Sequence, residues 1–241
     1  MGILYIVSTP IGNLQDISFR AAGVLQKVSM IACEDTRRTG LLLQFINEKF
    51  PNSKASVRPN LVSYFEQNEA GRTPQILTAL RNDIDVALVS DAGTPTVSDP
   101  GFKLVRTCIE EGVRVVAVPG ASSVLAGLVS SGLPTDKFLF LGYLPHKQGH
   151  RIKMLQNIKG LTEIMKMTVI VFEAPHKMKK FLAQVLQELG DIDLVVCREL
   201  TKIHEEVIHA HVSDLIARYM KQEPRGEFVI LFHHGDNKKG L

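Results

Sequence analysis

The chain has 241 residues, of which 45% are hydrophobic and 22% are charged, and it contains no tryptophan. This composition excludes collagen, coiled coil and intrinsic disorder, and the length suits one large α/β domain or two domains of about 110–130 residues. The formal net charge is +3, and the basic excess lies in the second half. Residues 147–180 hold eight Lys or Arg and two Glu. That local excess favours an anionic partner such as nucleic acid, although a solvated lysine-rich face fits it equally well.

The sequence also bears on compartment and metal chemistry. No stretch approaches the about 18 apolar residues of a membrane span, and the first residues lack the basic and apolar regions of a signal peptide. Cys33, Cys108 and Cys197 are odd in number, widely separated and form no CxxC pair, which is typical of reduced thiols. His204 and His209 are one position too far apart for a zincin helix. We therefore expect a cytoplasmic protein with no membrane association and no metal site.

Short β-branched runs recur along the chain, each followed by a segment with helical spacing. In chain order the runs are residues 4–9, 28–33, 85–90, 113–118, 138–142, 168–172, 194–197 and 227–232. Apolar stripes at helical spacing are formed by Ile17, Ala21, Val24, Leu25 and Val28, and again by Phe102, Val105 and Ile109. Strands alternating with helices predict βα units and a mostly parallel sheet covered on both faces.

Pro119-Gly120 interrupts the chain after one of these runs, at the point where the charge balance changes. We therefore predict two α/β domains, residues 1–118 and 119–241. Residues 47–60 are polar and contain proline, which predicts a surface loop, and residues 233–241 predict a frayed tail.

Polar segments follow the predicted strands of the first half. Pro10 and Gly12 turn the chain after the first strand, where either a ligand loop or a tight turn capped by Asp16 or Ser18 fits. The loop of residues 90–101 begins with two turn-formers and an acid within residues 90–95, well before any helix needs a cap, which favours a ligand loop. Its end, Ser98-Asp99-Pro100, has the pattern of a helix N-cap followed by proline.

The segment Glu34-Asp35-Thr36-Arg37 has two readings. Its acids could begin a helix, because negative charge is stabilising at a helix N-terminus. The same cluster at the carboxyl end of a strand could bind a polar substrate, with Arg37 gripping phosphate through two hydrogen bonds. The sequence contains neither GxGxxG nor GxxxxGK[ST], so a dinucleotide fingerprint and a P-loop are both excluded.

Seven motifs in this order resemble the tetrapyrrole methylase superfamily: TPIGNL, EDTR, SDAGTPTVSDPG, PGASS, FLGYLP, EAPHK and CRELTK. The resemblance covers about residues 3–232, and EDTR and CRELTK are similar to motifs of its RNA-acting branch. It implies two α/β domains with S-adenosylmethionine in a cleft between them, not a Rossmann dinucleotide fold, and a homodimer. The implied reaction is 2′-O-methylation of a cytidine ribose in small-subunit ribosomal RNA, with the free RNA or the 30S subunit as partner.

The resemblance also implies site residues. The implied cofactor contacts are Pro10, Asp91, Gly93, Thr94, Ser122, Ser123, Phe172, Glu173, Ala174, Leu200 and Gly226. Ribose methylation needs alignment and proton removal, and Glu34, Asp35 and Arg37 are the catalytic candidates. The RNA-binding candidates are Lys147, Arg151, Lys153, Arg198 and Lys202. Two alternatives stay open: a methyltransferase of this fold acting on a corrinoid precursor or another small molecule, and a non-catalytic RNA-binding assembly protein.

Overall fold

The computed structural model describes residues 1–51 and 58–233. The chain forms two compact units, Met1–Ser122 and Ser123–Leu241. In the described part of the chain, no helix is both long enough and apolar enough to cross a membrane.

The first unit is a parallel sheet covered by helices on both faces. Its strands are β1 (Leu4–Val7), β2 (Met30–Cys33), β3 (Asn60–Ser63), β4 (Val86–Val89) and β5 (Val115–Val118), in the order β3-β2-β4-β1-β5. Its helices are α1 (Phe19–Lys27), α2 (Thr36–Lys49), α3 (Glu69–Arg81) and α4 (Phe102–Glu110). Every neighbouring pair of strands is parallel. The carboxyl ends of all five strands therefore lie at one edge of the sheet.

Strand β4 explains why the sequence runs of this unit are apolar throughout. Successive side chains of a strand point to opposite faces. Val86 and Leu88 lie in a core with residues of α3 and α4, whereas Ala87 and Val89 lie in a second core with residues of α1 and α2. A strand buried on both faces needs apolar residues at every position.

The second unit is a mixed sheet in the order β6-β7-β10-β8-β9. Its strands are β6 (Phe138–Tyr143), β7 (Thr168–Glu173), β8 (Asp193–Arg198), β9 (Glu206–His211) and β10 (Phe228–His233), and its helices are α5 (Ser123–Ser130), α6 (Gln148–Ile164), α7 (Met178–Leu189) and α8 (Val212–Lys221). One face packs against α6, α7 and α8. Helix α5 lies close to β10, because a Cβ on Gly127 would stand only 3.3 Å from a methyl group of Val229.

The prediction of a mostly parallel sheet is wrong for the second unit. Strands β6, β7 and β8 run in the same direction, as βα units require, but β10 pairs antiparallel with both β7 and β8. Strand β9 also pairs antiparallel with β8. The insertion of β10 between two parallel-running strands is a long-range event, so the local sequence pattern carries no signal for it.

Each of the eight predicted runs contains a strand, but β3 and β9 are absent from the prediction. The stripe predicted for α4 is also wrong: Phe102 and Ile109 are 65% and 63% exposed, and the buried residues are Leu104 and Cys108. Leu104 and Cys108 also have helical spacing, so only the packing of the helix decides which of the two stripes is buried.

The predicted loop at 47–60 is helical up to Lys49 and a strand from Asn60. Residues 52–57 and 234–241 lie outside the described residues, and His233 belongs to β10.

Candidate functional site

The loops after β1 and β4 are joined to each other at the carboxyl edge of the first sheet. The Thr9 N–H donates to the Gly93 carbonyl at 2.9 Å, and the Gly93 N–H donates back to the Thr9 carbonyl at 3.0 Å. The Thr9 hydroxyl also donates to the Ser90 carbonyl at 3.1 Å. These bonds hold the segment around Pro10 against the residues that follow β4.

A second set of contacts connects this pair to the loop after β5. The hydroxyls of Ser8 and Thr94 are 3.0 Å apart, and the Thr94 hydroxyl donates to the Ala121 carbonyl at 3.3 Å. A Cβ on Gly120 would stand 3.0 Å from the Ser8 Cβ, so glycine permits this close approach. Gly93 has a φ of +83°, and a Cβ there would stand 3.3 Å from Ile11. Three loops thus converge at the carboxyl edge of this sheet.

The loop after β4 holds strained backbone. Thr96 and Ser98 have φ values of +73° and +64°, which are uncommon for residues other than glycine, above all for a β-branched one. Residues kept in such conformations cluster at ligand-binding and active sites. The predicted N-cap by Ser98 or Asp99 is wrong, because α4 begins at Phe102 after Gly101, with no side-chain cap. The other capping prediction is confirmed for Ser18, which accepts from the Ala21 N–H at 3.1 Å.

Asp99 belongs instead to a cluster of carboxylates. Burial raises its pKa to about 6; the neighbouring Ser90 offsets part of this, and the charges of Glu34 and Asp91 add to it. Asp91 and Glu34 are themselves close, since the Asp91 N–H lies 3.4 Å from a Glu34 carboxylate oxygen. Asp91 also accepts from the Asp35 N–H at 3.0 Å and lies 3.4 Å from Arg38. Sequence reasoning missed Asp99 because the dipeptide Asp-Pro before a helix imitates a cap.

Asp35 and Arg37 are engaged with each other. Asp35 is the N-cap of α2: one carboxylate oxygen accepts from the Arg37 N–H at 2.8 Å, and the other lies 2.7 Å from the Arg37 guanidinium. The Arg37 side chain holds the pKa of Asp35 well below its usual range. Of the two readings of this segment, helix initiation therefore accounts for the position of Asp35. An acid with so low a pKa is a weak proton acceptor.

The candidate residues of the second unit also lie at one edge of their sheet. Phe228, at the start of β10, pairs with Glu173 at the end of β7 and with Arg198 at the end of β8. Glu173 is buried; burial raises its pKa, against the lowering effect of the Ala174 N–H and Arg151. Phe172 packs edge-on against two aromatic rings of β6.

The loop after β8 is tied to the residues that precede β10. Lys202 lies 2.9 Å from Glu199 and 3.0 Å from Glu227, and the Glu227 N–H donates to Glu199 at 2.9 Å. Gly226 has a φ of +94°, and a Cβ there would stand 2.6 Å from the Glu199 side chain. Leu200 is buried in this loop. These hydrogen bonds hold Lys202 in place. Burial lowers the pKa of Lys202, but its two carboxylate partners raise it by more, so the net effect is a raised pKa.

Three of the five predicted RNA-binding residues lie in the α6 region, and the structure separates them into exposed and buried side chains. Lys147 and Lys153 are exposed, before and within α6. Arg151 is only 3% exposed, and its Nε donates to Gln184 at 2.5 Å, so the structure does not present it to RNA. Arg151 lies on the buried stripe of α6 with Leu155, Ile158 and Thr162. The spacing of these residues at intervals of three and four is visible in the sequence. It indicates that Arg151 belongs to the buried face of the helix, which a count of charges does not consider.

Comparison with known proteins defines the class. The family model for Tetrapyrrole (Corrin/Porphyrin) Methylases matches residues 3–216, and the chain belongs to this family. The fold agrees: a uroporphyrin-III C-methyl transferase from Thermus thermophilus, complexed with S-adenyl homocysteine, superposes with a TM-score of 0.63 at 18% identity, covering 95% of this chain and 97% of that chain.

The nearer relatives specify the branch of the family. The chain is 43% identical to a ribosomal RNA small subunit methyltransferase I from Synechocystis, across 96% of this chain and 78% of the relative. It is 38% identical to the protein of the same name from Thermotoga maritima, across 96% of this chain and 98% of the relative.

Proposed function

We propose that this protein transfers a methyl group from S-adenosylmethionine to the 2′-hydroxyl of a cytidine in small-subunit ribosomal RNA. The observation that carries the proposal is the identity of about two residues in five, over nearly the whole chain, with relatives named for that RNA. The converging loops of the first unit support it. They meet at the carboxyl edge of a parallel sheet, which is where open α/β sheets bind their ligands.

We propose that Pro10, Asp91, Gly93 and Thr94 hold S-adenosylmethionine. When bound, this cofactor supplies an activated methyl group on a positively charged sulfur. Gly93 supplies the positive φ that this loop adopts, and Thr94 is held in place by Ser8 and by the Ala121 carbonyl. The other predicted cofactor contacts remain predictions: Ser122, Ser123, Phe172, Glu173, Ala174, Leu200 and Gly226.

The protein must also remove a poorly acidic proton from the ribose hydroxyl, and a positioned base contributes roughly 10²–10⁴-fold to such a step. We propose that a carboxylate oxygen of Asp99 or Glu34 accepts this proton. A pKa of about 6 makes Asp99 an anion at neutral pH while leaving it more basic than an ordinary aspartate. Asp35 is paired with Arg37 and is less suitable. The methylation rate should therefore rise with pH through about 6 and then level off.

RNA binding is proposed for Lys147, Lys153, Arg198 and Lys202. The two lysines of the α6 region are exposed, and each phosphate that a Lys or Arg contacts should add about 0.7–0.9 to the salt dependence of binding. We further propose a homodimer and a cytoplasmic location, which the family resemblance and the RNA substrate favour; sedimentation of the purified protein tests the former.

The test is methyl transfer in vitro from labelled S-adenosylmethionine to small ribosomal subunits, and separately to protein-free RNA, both isolated from cells lacking this protein. Mass mapping of the digested RNA should place one methyl group on a cytidine ribose. A methyl group on a corrinoid precursor instead would assign the chain to the small-molecule branch. Absence of cofactor binding by calorimetry would favour a non-catalytic assembly protein.

A further inference from the structure

A cavity of about 340 Å³ lies beside the carboxyl end of β8 in the second unit. Its wall includes Arg198 from the end of β8, Glu206 from the start of β9, Arg218 and Lys221 from the last turn of α8, and Arg225 before β10. Three separate segments of the chain, namely β8, α8 and the residues before β10, therefore bring basic side chains to one place. Tyr219 also lines the cavity.

The charges in this cavity do not cancel. Glu206 accepts from Arg218 at 2.5 Å and lies 3.5 Å from Arg198, so one carboxylate serves two guanidinium groups. Glu223, the other acid of the wall, pairs with Lys179 outside it. Lys221 and Arg225 are exposed and form no ion pair among the residues that the structure describes. The cavity therefore carries an excess of positive charge, and guanidinium donors remain available for an anion.

Tyr219 is the second observation that indicates a ligand. Its side chain is only 4% exposed, its ring packs edge-on against Phe228, and its hydroxyl has no hydrogen-bond partner within the described parts of the chain. Burial raises the pKa of Tyr219, which keeps the hydroxyl protonated, and the charges of Arg218 and Arg198 are near enough to act on it. A buried hydroxyl without a partner is costly, and native proteins seldom keep one without a reason.

Stabilisation of α8 does not explain the cavity. Basic residues in the last turn of a helix complement its macrodipole, which accounts for Arg218 and Lys221. It does not account for Arg198 and Arg225, which belong to other segments and are held together by a 2.7 Å hydrogen bond from the Arg198 Nε to the Arg225 carbonyl. Nor does it account for the unpaired hydroxyl of Tyr219.

We propose that this cavity binds one backbone phosphodiester of the RNA substrate. Guanidinium groups form charge-assisted and often paired hydrogen bonds with phosphate oxygens, and a neutral hydroxyl can donate a further one. Arg198 leads directly into the loop that holds Lys202, so a phosphate here lies next to the predicted RNA contacts of that loop. The inference rests on the proposed RNA substrate; the shared chemistry, phosphate binding, would also suit a free phosphate ion.

The experiment compares three variants of the full chain: Tyr219→Phe, Arg225→Ala and, as a control of equal charge change, Arg20→Ala on the exposed side of α1. Affinity for a labelled RNA oligonucleotide containing the target cytidine is measured by fluorescence anisotropy at several KCl concentrations. Cofactor affinity and melting temperature are measured for each variant.

Arg225→Ala should weaken RNA binding about 10-fold and reduce the slope of log K against log salt by about 0.7–0.9, because one phosphate contact loses its charge. Tyr219→Phe should weaken binding severalfold at an unchanged slope, without lowering the melting temperature, since it removes an unpaired hydroxyl. Arg20→Ala should change neither affinity nor slope by a comparable amount.

RNA affinities of Tyr219→Phe and Arg225→Ala equal to that of the unchanged protein would overturn the proposal. Binding of inorganic phosphate that depends on Tyr219 and Arg225, combined with RNA binding that does not, would assign the cavity to a free anion and overturn the RNA assignment. The proposed function is judged separately, by methyl transfer from the unchanged protein. Failure there, with RNA binding still dependent on Arg225, would refute the reaction and leave the cavity as an RNA site.

Discussion

Replacing Asp99 by Asn should stabilise the protein at neutral and alkaline pH. The pKa of Asp99 is raised to about 6 from its ordinary value of 3.8, chiefly by burial. The folded chain therefore holds this proton more tightly than the unfolded chain, and stability falls as the pH rises from about 4 to about 6. An amide of the same shape has no charge to bury, so the variant avoids that loss.

The magnitude follows from the size of the pKa shift. A shift of about two pK units corresponds to roughly 3 kcal/mol between the two protonation states. Because Asp99 is partly exposed, solvent screening reduces the expected gain to about 1–2 kcal/mol. At about 2–4 °C per kcal/mol for a chain of this length, the melting temperature should rise by roughly 2–8 °C at pH 8 and very little at pH 4.

Thermal unfolding of both proteins from pH 4 to pH 8 measures this difference. Asp136→Asn is the control, because Lys137 lowers the pKa of that exposed acid and its loss should not stabilise the protein at pH 8. An equal gain at pH 4 and pH 8 would show that packing and not charge is responsible. No gain at pH 8 would refute the view that Asp99 is an anion held at a cost in stability.

Three further outcomes are expected. Gly93→Ala should abolish or greatly weaken S-adenosylmethionine binding in calorimetry. The control Gly112→Ala, at a φ of +74° with open space around its Cβ, should have the same backbone cost of roughly 1–2 kcal/mol and bind the cofactor normally. Equal cofactor binding by both variants would remove the loop after β4 from the site. Asp35→Ala should lower the melting temperature above about pH 4, where the ionised Asp35 carboxylate stabilises the folded chain, and should leave the methylation rate nearly unchanged. A large loss of rate with normal stability would restore Asp35 as a catalytic residue. Arg151→Ala should cost about 1–3 kcal/mol in denaturant unfolding, because it leaves the buried Gln184 oxygen without its donor and removes a positive charge that lowers the pKa of buried Glu173. It should not alter the salt slope of RNA binding, which Lys153→Ala should reduce.

Features that depend on neighbouring residues could be predicted from the sequence. The alternation of β-branched runs and helical spacing located a strand in each of the eight predicted runs, and the βα connections correctly imply that β6, β7 and β8 run in the same direction. Because parallel strands end at one edge, the polar segments after β1 and β4 lie together, and reciprocal hydrogen bonds join Thr9 to Gly93.

Where several local arrangements fit the sequence equally well, long-range packing selects one of them. The segment that forms β10 pairs with β7 and β8, which precede it by tens of residues in the chain, and no short-range pattern encodes that choice of neighbour. Arg151 has the charge of an RNA ligand, yet it occupies a position of α6 that faces the core. Asp99 resembles a helix cap, yet it lies among carboxylates because the loop after β4 folds back with strained backbone at Thr96 and Ser98. In each case the energy that decides the outcome comes from long-range packing and burial, which depend on residues distant in sequence.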